Sequence, residues 1–206
     1  MTPVVFALII ANIVAYGIEM LFGQSILANF ALYPIGQFQY DDYVVGFHPW
    51  QLITYGFLHD PKNLAHIILN LYAVYAFGSS IEQALGSRRF AWLYFASVLT
   101  GGICQLIVMT LTVNGGGDPG SAVGASGGVF GILLAFGMLF PKRRVMLIIP
   151  PIPMPAWVLV TLYGLLELGS GVFGWQAGVA HFAHLGGMLG AFVALMVFHY
   201  QSYRRN

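Results

Sequence analysis

Four polar side chains with the chemistry of a nucleophile, a base and hydrogen-bond donors lie in three separate apolar stretches of the chain. They are His66 and Asn70 in one stretch, Ser126 within Gly124-Ala125-Ser126-Gly127 in another, and His184 in the third. A polar group in hydrocarbon costs free energy and is seldom retained without a partner. We therefore expect these side chains to form one site, in which a serine attacks a carbonyl carbon.

Ser126 is a poor nucleophile unless a base within about 2.6 to 3.2 Å takes its proton. His184 can be that base only if the two stretches nearly touch. Small residues permit such close approach in membranes. Both stretches carry glycines, namely Gly124, Gly127, Gly128 and Gly131 around the serine and Gly186, Gly187 and Gly190 after the histidine. The alternative interpretation is that these glycines only pack membrane helices, without chemistry.

An attacked amide develops negative charge on its oxygen, and that charge needs donors already in place. His66 and Asn70 are four residues apart and share one face of a helix. The backbone N–H of Ser126, near a helix N-terminus, adds a donor and a favourable dipole. We expect these groups to form an oxyanion site. A histidine standing alone would instead be interpreted as a core residue bonded to a backbone carbonyl.

The composition is that of a polytopic membrane protein. Hydrophobic residues make up 58% of the chain, charged residues only 7%, and the mean hydropathy is +0.78. The net charge of +1 and the dispersed basic residues exclude nucleic acid as a binding partner. Membrane lipids are the expected surroundings of the apolar segments. Cys104 is the single cysteine, so no internal disulfide is possible, and a buried core thiol is expected.

Six apolar segments are each close to the ~20 residues that cross a hydrocarbon core. We predict spans at residues 3–22, 64–84, 90–111, 123–140, 156–173 and 181–200. Residues 24–63 mix aromatic, proline and acidic residues, which predicts a large first outer loop in the headgroup zone. A short glycine-rich outer turn at 114–120 and a stiff proline-rich connection at 150–155 are also predicted. The fold class is therefore all-α, with residues 1–206 as a single domain.

The positions of lysine and arginine predict the orientation of these spans. The basic residues fall after the second, fourth and sixth spans, and only one lies on the other side: Arg88, Arg89, Lys142, Arg143, Arg144, Arg204 and Arg205, against Lys62. Both termini are therefore predicted to be cytoplasmic. The second, fourth and sixth spans then start at the outer face, which places His66, Ser126 and His184 at similar depth.

Three motifs in this order resemble the rhomboid intramembrane serine proteases: His66-x-x-x-Asn70, Gly124-Ala125-Ser126-Gly127 and Ala183-His184-x-x-Gly187. The sequence Glu82-x-x-x-Gly86 followed by Arg88, together with the large first outer loop, extends the resemblance over nearly the whole chain.

The resemblance implies a six-helix rhomboid-like bundle in which Ser126 and His184 form a catalytic dyad. It implies that His66 and Asn70 stabilise the oxyanion, and that further residues support the site, namely Gly124, Gly127, Phe130 and Gly187. The implied activity is that of an endopeptidase that cuts transmembrane segments of other proteins near the outer face. A bacterial inner membrane is the implied location. No metal or cofactor is expected, and the sequence does not indicate an oligomeric state.

The chain departs from the family pattern in three places. Phe130 stands where many members have tyrosine, which keeps a ring to pack on His184 but removes the hydroxyl. Trp50-Gln51 stands where Trp-Arg is frequent, so the anchoring of the first loop is expected to differ. We also expect a minimal six-helix form without a soluble domain before the first span.

A dyad without a carboxylate is predicted from the positions of the acidic residues. None of the seven lies in the second, fourth or sixth span at the depth of His184. We therefore expect packing against Phe130, with support from His181, to fix the base.

Other hypotheses about the function of the polar residues have less support in the sequence. An aspartyl protease using Asp118 and Asp41 is rejected because both fall in outer loops, where solvent keeps them ionised. A zinc enzyme using His66, His181 and His184 lacks a His-Glu-x-x-His helix and a completing cysteine or carboxylate. A bis-histidine haem site leaves the serine between glycines unexplained.

The main alternative is a catalytically inert relative that binds transmembrane helices without cutting them.

For a protease, we expect substrate to enter laterally past the fifth span and residues 173–177.

Overall fold

The computed structural model describes residues 1–40, 42–146, 151–174 and 180–204. Asp41, Pro150, Arg205 and residues 175–177 of the predicted lateral entrance lie outside the described residues.

Long apolar helices dominate the described chain. Five are long and apolar enough to cross a membrane: α1 (Pro3–Phe22), the continuous helix Leu64–Leu85, α6 (Ser87–Asn114), α8 (Ala156–Phe173) and α9 (His181–Tyr203). The helix Leu64–Leu85 consists of α4 (Leu64–Ala73), a π-helical turn (Val74–Gly78) and α5 (Ser79–Leu85). The prediction of a helical polytopic membrane protein is confirmed.

The fourth predicted span is shorter than expected. The helix α7 runs from Ser126 to Leu139 and has 14 residues, whereas residues 123–140 were predicted. Its length of about 21 Å falls short of the ~30 Å hydrocarbon core. Before this helix, Leu32 and Ala122 exchange backbone hydrogen bonds of 3.0 and 2.9 Å, and Gly124 has a φ of +135°, which is not helical. The helix therefore starts at the serine.

The helix α7 lies at the centre of the bundle, since ten of its fourteen residues are buried. It packs against α9, α6, α8 and the second span. The core around it is apolar and includes Val5, Phe90 and Ile132, each fully buried. By contrast, α1 and α8 expose apolar side chains such as Phe6 and Leu165, which suits contact with lipid.

The segment between the first and second spans, predicted to be an outer loop, is an ordered structure rather than a simple connection. It contains α2 (Gln24–Phe30), an antiparallel hairpin of β1 (Phe38–Tyr40) and β2 (Tyr43–Val45), α3 (Gln51–Thr54) and a 3₁₀ turn (Tyr55–Phe57). The fully buried Gln51 connects these parts through its amide, which accepts from the N–H of His48 at 3.1 Å and donates to the carbonyl of Gly46 at 3.2 Å. Gln51 thus holds the parts of this segment together at the position where the resemblance leads us to expect arginine.

Charged side chains tie several elements together at the opposite end. The carboxylate of Glu82 accepts the N–H groups of Val4 and Val5, each at 3.0 Å, at the start of α1. The guanidinium of Arg89 lies 5.5 Å from the ring centroid of Phe198, near the end of α9. The start of α1 and the end of α9 therefore share the basic end of the bundle. Which membrane face this end occupies stays a prediction.

The proline-rich connection at this end is partly sheet. The strand β3 (Arg144–Met146) pairs antiparallel with β4 (Pro153–Pro155).

Candidate active site

The structure brings Ser126 and His184 into hydrogen-bond contact. The Oγ atom of Ser126 lies 2.8 Å from Nε2 of His184. Ser126 is the first residue of α7, and His184 is in the first turn of α9. The histidine is buried, with 7% of its surface exposed, and the serine is half-buried. This distance suits transfer of the hydroxyl proton to the imidazole.

Glycines permit this contact, as the sequence predicts. A Cβ atom at Gly187 would overlap the carbonyl oxygen of Gly127 on α7. A Cβ atom at Gly186 would lie 2.7 Å from the carbonyl oxygen of Thr100 on α6. In both places the obstacle is backbone, which cannot rotate away as a side chain can. The absence of a side chain at Gly187 therefore lets α9 approach α7, and the absence of one at Gly186 lets α9 approach α6.

The ring of Phe130 stacks on the imidazole of His184. The ring centroids are 4.2 Å apart and the planes differ by 6°. Tyr163 on α8 packs edge-on against Phe130, with centroids 6.1 Å apart. The phenylalanine thus fixes the plane of the imidazole without a hydroxyl group.

A carboxylate also contacts the imidazole, so the prediction that none reaches His184 is wrong. The Oε2 atom of Glu167 lies 2.8 Å from Nδ1 of His184 and 2.7 Å from Nδ1 of His181. Glu167 belongs to α8, the fifth span, whereas the predicted dyad takes into account acidic residues of the second, fourth and sixth spans alone. The signal was nevertheless present, because an ionisable residue inside an apolar span is by default a candidate functional residue.

The two contacts of Glu167 differ in geometry. The contact with His181 meets the geometry of a hydrogen bond, whereas the contact with His184 is close but does not meet that geometry among the described residues. An ionised carboxylate only accepts hydrogen bonds. The arrangement therefore favours a proton on Nδ1 of each imidazole, which leaves Nε2 of His184 to accept from Ser126.

His66 lies beside the backbone that leads into Ser126. A Cβ atom at Gly124 would lie 2.9 Å from Nε2 of His66 and 3.4 Å from Oγ of Ser126. With φ at +135°, Gly124 also adopts a conformation that a residue with a side chain rarely adopts. Gly124 therefore opens a space between the imidazole and the hydroxyl where a carbonyl oxygen can sit.

Asn70 is one turn further along the same helix and is buried. Its Nδ2 atom donates to the carbonyl oxygen of His66 at 2.8 Å. A primary amide has two N–H groups, so this bond leaves one for a substrate. The N–H of Ser126, the first residue of α7, has no partner within its own helix. The three predicted oxyanion donors are thus present, and Asn70 is held by its own helix.

Two residues that the sequence analysis did not single out shape the surroundings. The carbonyl oxygen of Tyr55 accepts the N–H of Gly124 at 2.9 Å, and its hydroxyl donates to the carbonyl of Val98 at 2.8 Å. Burial raises the pKa of the Tyr55 hydroxyl above its usual range. His59 lies behind His66, with ring centroids 5.1 Å apart, and burial together with His66 lowers its pKa to about 4. No motif marked either residue.

Glu167, His181 and His184 are also of the types that bind metals, with ligand atoms within 4.8 Å of one another. This set differs from the zinc alternative considered in the sequence, which used His66 and lacked a carboxylate. Ligands around a tetrahedral zinc ion, with bonds of about 2.0 to 2.2 Å, are about 3.3 Å apart. The separations of 2.7 and 2.8 Å instead match direct contacts through a proton.

Comparison of the sequence with known proteins identifies a family to which the chain is similar. A family model described as the Rhomboid domain matches residues 46–201. The chain is 32% identical over 124 residues to Rhomboid protein 1, mitochondrial, of Saccharomyces cerevisiae, and 28% identical over 145 residues to Rhomboid protease GluP of Bacillus subtilis. These matches cover 60% and 70% of this chain, but 35% and 25% of the relatives.

A third relative is Presenilin-associated rhomboid-like protein A, mitochondrial, of Danio rerio, which is 30% identical over 128 residues. That match covers 62% of this chain and 32% of the relative. The chain thus spans between a quarter and about a third of the length of these curated relatives. Because the family model covers most of the chain, the protein belongs to the rhomboid family of polytopic membrane proteins.

Proposed function

We propose that this protein is an intramembrane serine endopeptidase that cleaves transmembrane segments of other membrane proteins. The observation that carries the proposal is the 2.8 Å contact between Ser126 Oγ and His184 Nε2 at the start of a buried helix. The name of the Bacillus subtilis relative, Rhomboid protease GluP, supports the same reaction class.

In the proposed reaction, His184 takes the proton of Ser126 as its oxygen attacks the scissile carbonyl carbon. Negative charge develops on the carbonyl oxygen, which accepts hydrogen bonds from His66, Asn70 and the N–H of Ser126. The imidazolium then gives its proton to the leaving amine. Water, activated by the same imidazole, hydrolyses the acyl-enzyme and restores the serine.

The substrate class follows from the setting of the site. Exposed apolar side chains surround the bundle and would face lipid. A water-soluble peptide therefore has no direct route to the site from this side. A transmembrane segment would already lie in the membrane beside the bundle. Lateral access past α8 is proposed because this helix has few buried residues: Ala156, Leu159, Val160 and Ser170. Local unwinding of the substrate near the membrane boundary would expose its carbonyl to Ser126.

We further propose that residues 1–206 act as one domain, with both termini in the cytoplasm. The helix α1 precedes the matched residues, yet Glu82 binds its start, and its Glu19 carboxylate accepts the N–H of His59 at 2.9 Å. The active site then opens to the outer side. A bacterial inner membrane is our proposed location, and the matching relatives include mitochondrial proteins as well as the Bacillus subtilis protein.

The proposal predicts that Ser126→Ala abolishes cleavage of a transmembrane substrate by the purified protein in detergent or liposomes. Labelling with a fluorophosphonate, read by mass spectrometry, should place the adduct on Ser126 of the wild type. Ser97→Ala is the matched control, since this buried hydroxyl donates only to the carbonyl of Leu93 in its own helix among the described contacts. Cleavage by Ser126→Ala would refute the nucleophile. Absence of labelling in folded wild type would favour the inert helix-binding rival.

A further inference from the structure

We propose that Glu167 is a positioning residue of the active site that holds His184 in its reactive tautomer, with His181 holding Glu167 in turn. The inference rests on the proposed function, and it replaces the predicted dyad with a chain of four side chains: Ser126, His184, Glu167 and His181.

The surroundings of Glu167 explain why a carboxylate stands in this span. It is the only acidic or basic residue of α8, whose neighbouring residues are largely apolar. An isolated carboxylate in hydrocarbon is costly, and that cost falls when the carboxylate has close partners. Its Oε2 atom lies 2.7 and 2.8 Å from two imidazole nitrogens, and its side chain is 13% exposed. The carboxylate is therefore placed for these two histidines.

The tautomer of His184 decides whether it can act as a base. If Nδ1 carries the proton, Nε2 has a free lone pair toward Ser126 at 2.8 Å. If Nε2 carries the proton, the imidazole can only donate to the serine oxygen and cannot remove its proton. The Glu167 oxygen near Nδ1 favours the first state. It also offsets the positive charge on the imidazolium during the reaction.

His181 gives Glu167 a second fixed contact. It is three residues before His184 and lies on the same side of α9. Both imidazoles meet the same Oε2 atom, so the carboxylate is held from two sides. His181 and His184 are buried, and electrostatic contacts act more strongly where water is excluded. His181 therefore restrains the carboxylate without touching the reacting atoms.

This arrangement makes the chemistry depend on α8. Ser126 and His184 belong to the closely packed helices α7 and α9, whereas Glu167 comes from the helix past which substrate is proposed to enter. Outward movement of α8 would separate the carboxylate from His184 while the serine and histidine stay in contact. The site is then complete only when α8 is seated.

The kinetic test is Glu167→Gln, which keeps the size of the side chain and removes its charge. We expect kcat to fall on the order of 10² to 10⁴-fold, with KM changed less than about twofold because Glu167 contacts the two histidines and not the reacting serine. Glu167→Asp should recover part of the lost kcat, since it restores the charge. Glu82→Gln, the same change at the other end of the bundle, is the control and should leave kcat unchanged below its melting temperature.

A spectroscopic test separates positioning from general damage. In the Ser126→Ala protein labelled with ¹⁵N-histidine, NMR should report His181 and His184 as Nδ1–H tautomers. Adding Glu167→Gln should convert His184 to a mixture of tautomers. An unchanged tautomer, or full kcat in Glu167→Gln, would overturn the inference.

Two further results have distinct meanings. Cleavage by Ser126→Ala would refute the proposed function, whereas the tautomer measurement does not depend on cleavage.

Calorimetric titration of the wild-type protein with Zn²⁺ tests whether Glu167, His181 and His184 bind a metal instead. Stoichiometric binding that Glu167→Gln removes would overturn the proton-bridged arrangement, and absence of binding would support it.

Discussion

The imidazole of His184 is restrained on its face and at both nitrogens. Phe130 stacks on its plane, Glu167 contacts Nδ1 and Ser126 contacts Nε2. A rotation that breaks one of these contacts also disturbs the others. Reaction rates in active sites depend strongly on the placement of the reacting atoms, so rigid support of His184 is what the proposed role as a base requires.

The lowered pKa of the buried His59 predicts that stability depends on pH, in a way that does not involve the reacting atoms. Burial lowers its pKa from 6.5 to about 4, so the unfolded chain binds a proton more readily than the folded protein does. Its contribution to the free energy of unfolding is then full above pH 6.5 and falls as the pH drops toward 4. By pH 5 the loss should be on the order of 1 to 2 kcal/mol.

The measurement is the melting temperature in detergent at pH 7 and pH 5. His59→Phe keeps a ring in the same space and should reduce the difference between the two pH values. His199→Phe, at an exposed position near the end of α9, is the control and should leave the difference as in the wild type. Equal differences in wild type and His59→Phe would contradict the assignment to His59.

At the scale of elements, the sequence predicts which helices form better than where the decisive one begins. The first and fifth spans, Pro3–Phe22 and Ala156–Phe173, begin and end where predicted, because composition alone defines them. The start of α7 depends instead on the long-range pairing of Leu32 with Ala122. That pairing joins residues ninety positions apart, and local hydropathy carries no information about it.

The same difference separates the predicted from the missed parts of the site. Ser126, His184, His66 and Asn70 stand out by residue type and spacing. The contact of Glu167 with His184 depends on how α8 packs against α9, which the sequence of either helix does not define. Loop charges predict which ends of the spans share a side, but not which faces of the helices meet.

The close packing at Gly187 predicts that adding a single methyl group there separates α7 from α9. In Gly187→Ala the new Cβ would overlap the carbonyl oxygen of Gly127, so the helices must shift apart. A displacement near 1 Å at a reacting pair can cost about 10²-fold in rate. We therefore expect a loss of that order in kcat, and slower fluorophosphonate labelling of Ser126.

Gly164→Ala is the matched control for this change. A Cβ atom there would lie 3.5 Å from Cε of Met188, which is an ordinary contact with a flexible side chain. This variant should cleave and label as the wild type does. If Gly187→Ala labels as fast as Gly164→Ala, the contact between Gly187 and Gly127 does not set the distance between serine and histidine.

On the scale of the whole molecule, the proposed active site and the carboxylate that holds the start of α1 occupy opposite ends of the bundle. The end with Ser126 carries the segment between the first and second spans, where Gln51 joins parts of that segment to one another and Tyr55 joins it to Val98 and Gly124 through hydrogen bonds. The basic end joins the start of α1 to the second span through Glu82. A substitution at the basic end can therefore change stability without moving the reacting atoms.

Glu82 provides the test of this separation. Its carboxylate accepts the N–H groups of Val4 and Val5 at the start of α1, where the helix dipole favours negative charge, and the hydroxyl of Ser87 at 2.6 Å. Hydrogen bonds to charged groups contribute about 1.5 to 3 kcal/mol each. Glu82→Gln keeps one acceptor oxygen but loses the charge, so we expect a lower melting temperature in detergent with kcat unchanged below it. Loss of kcat in protein that is still folded would show that the two ends are coupled, and an unchanged melting temperature would show that Glu82 does not anchor α1.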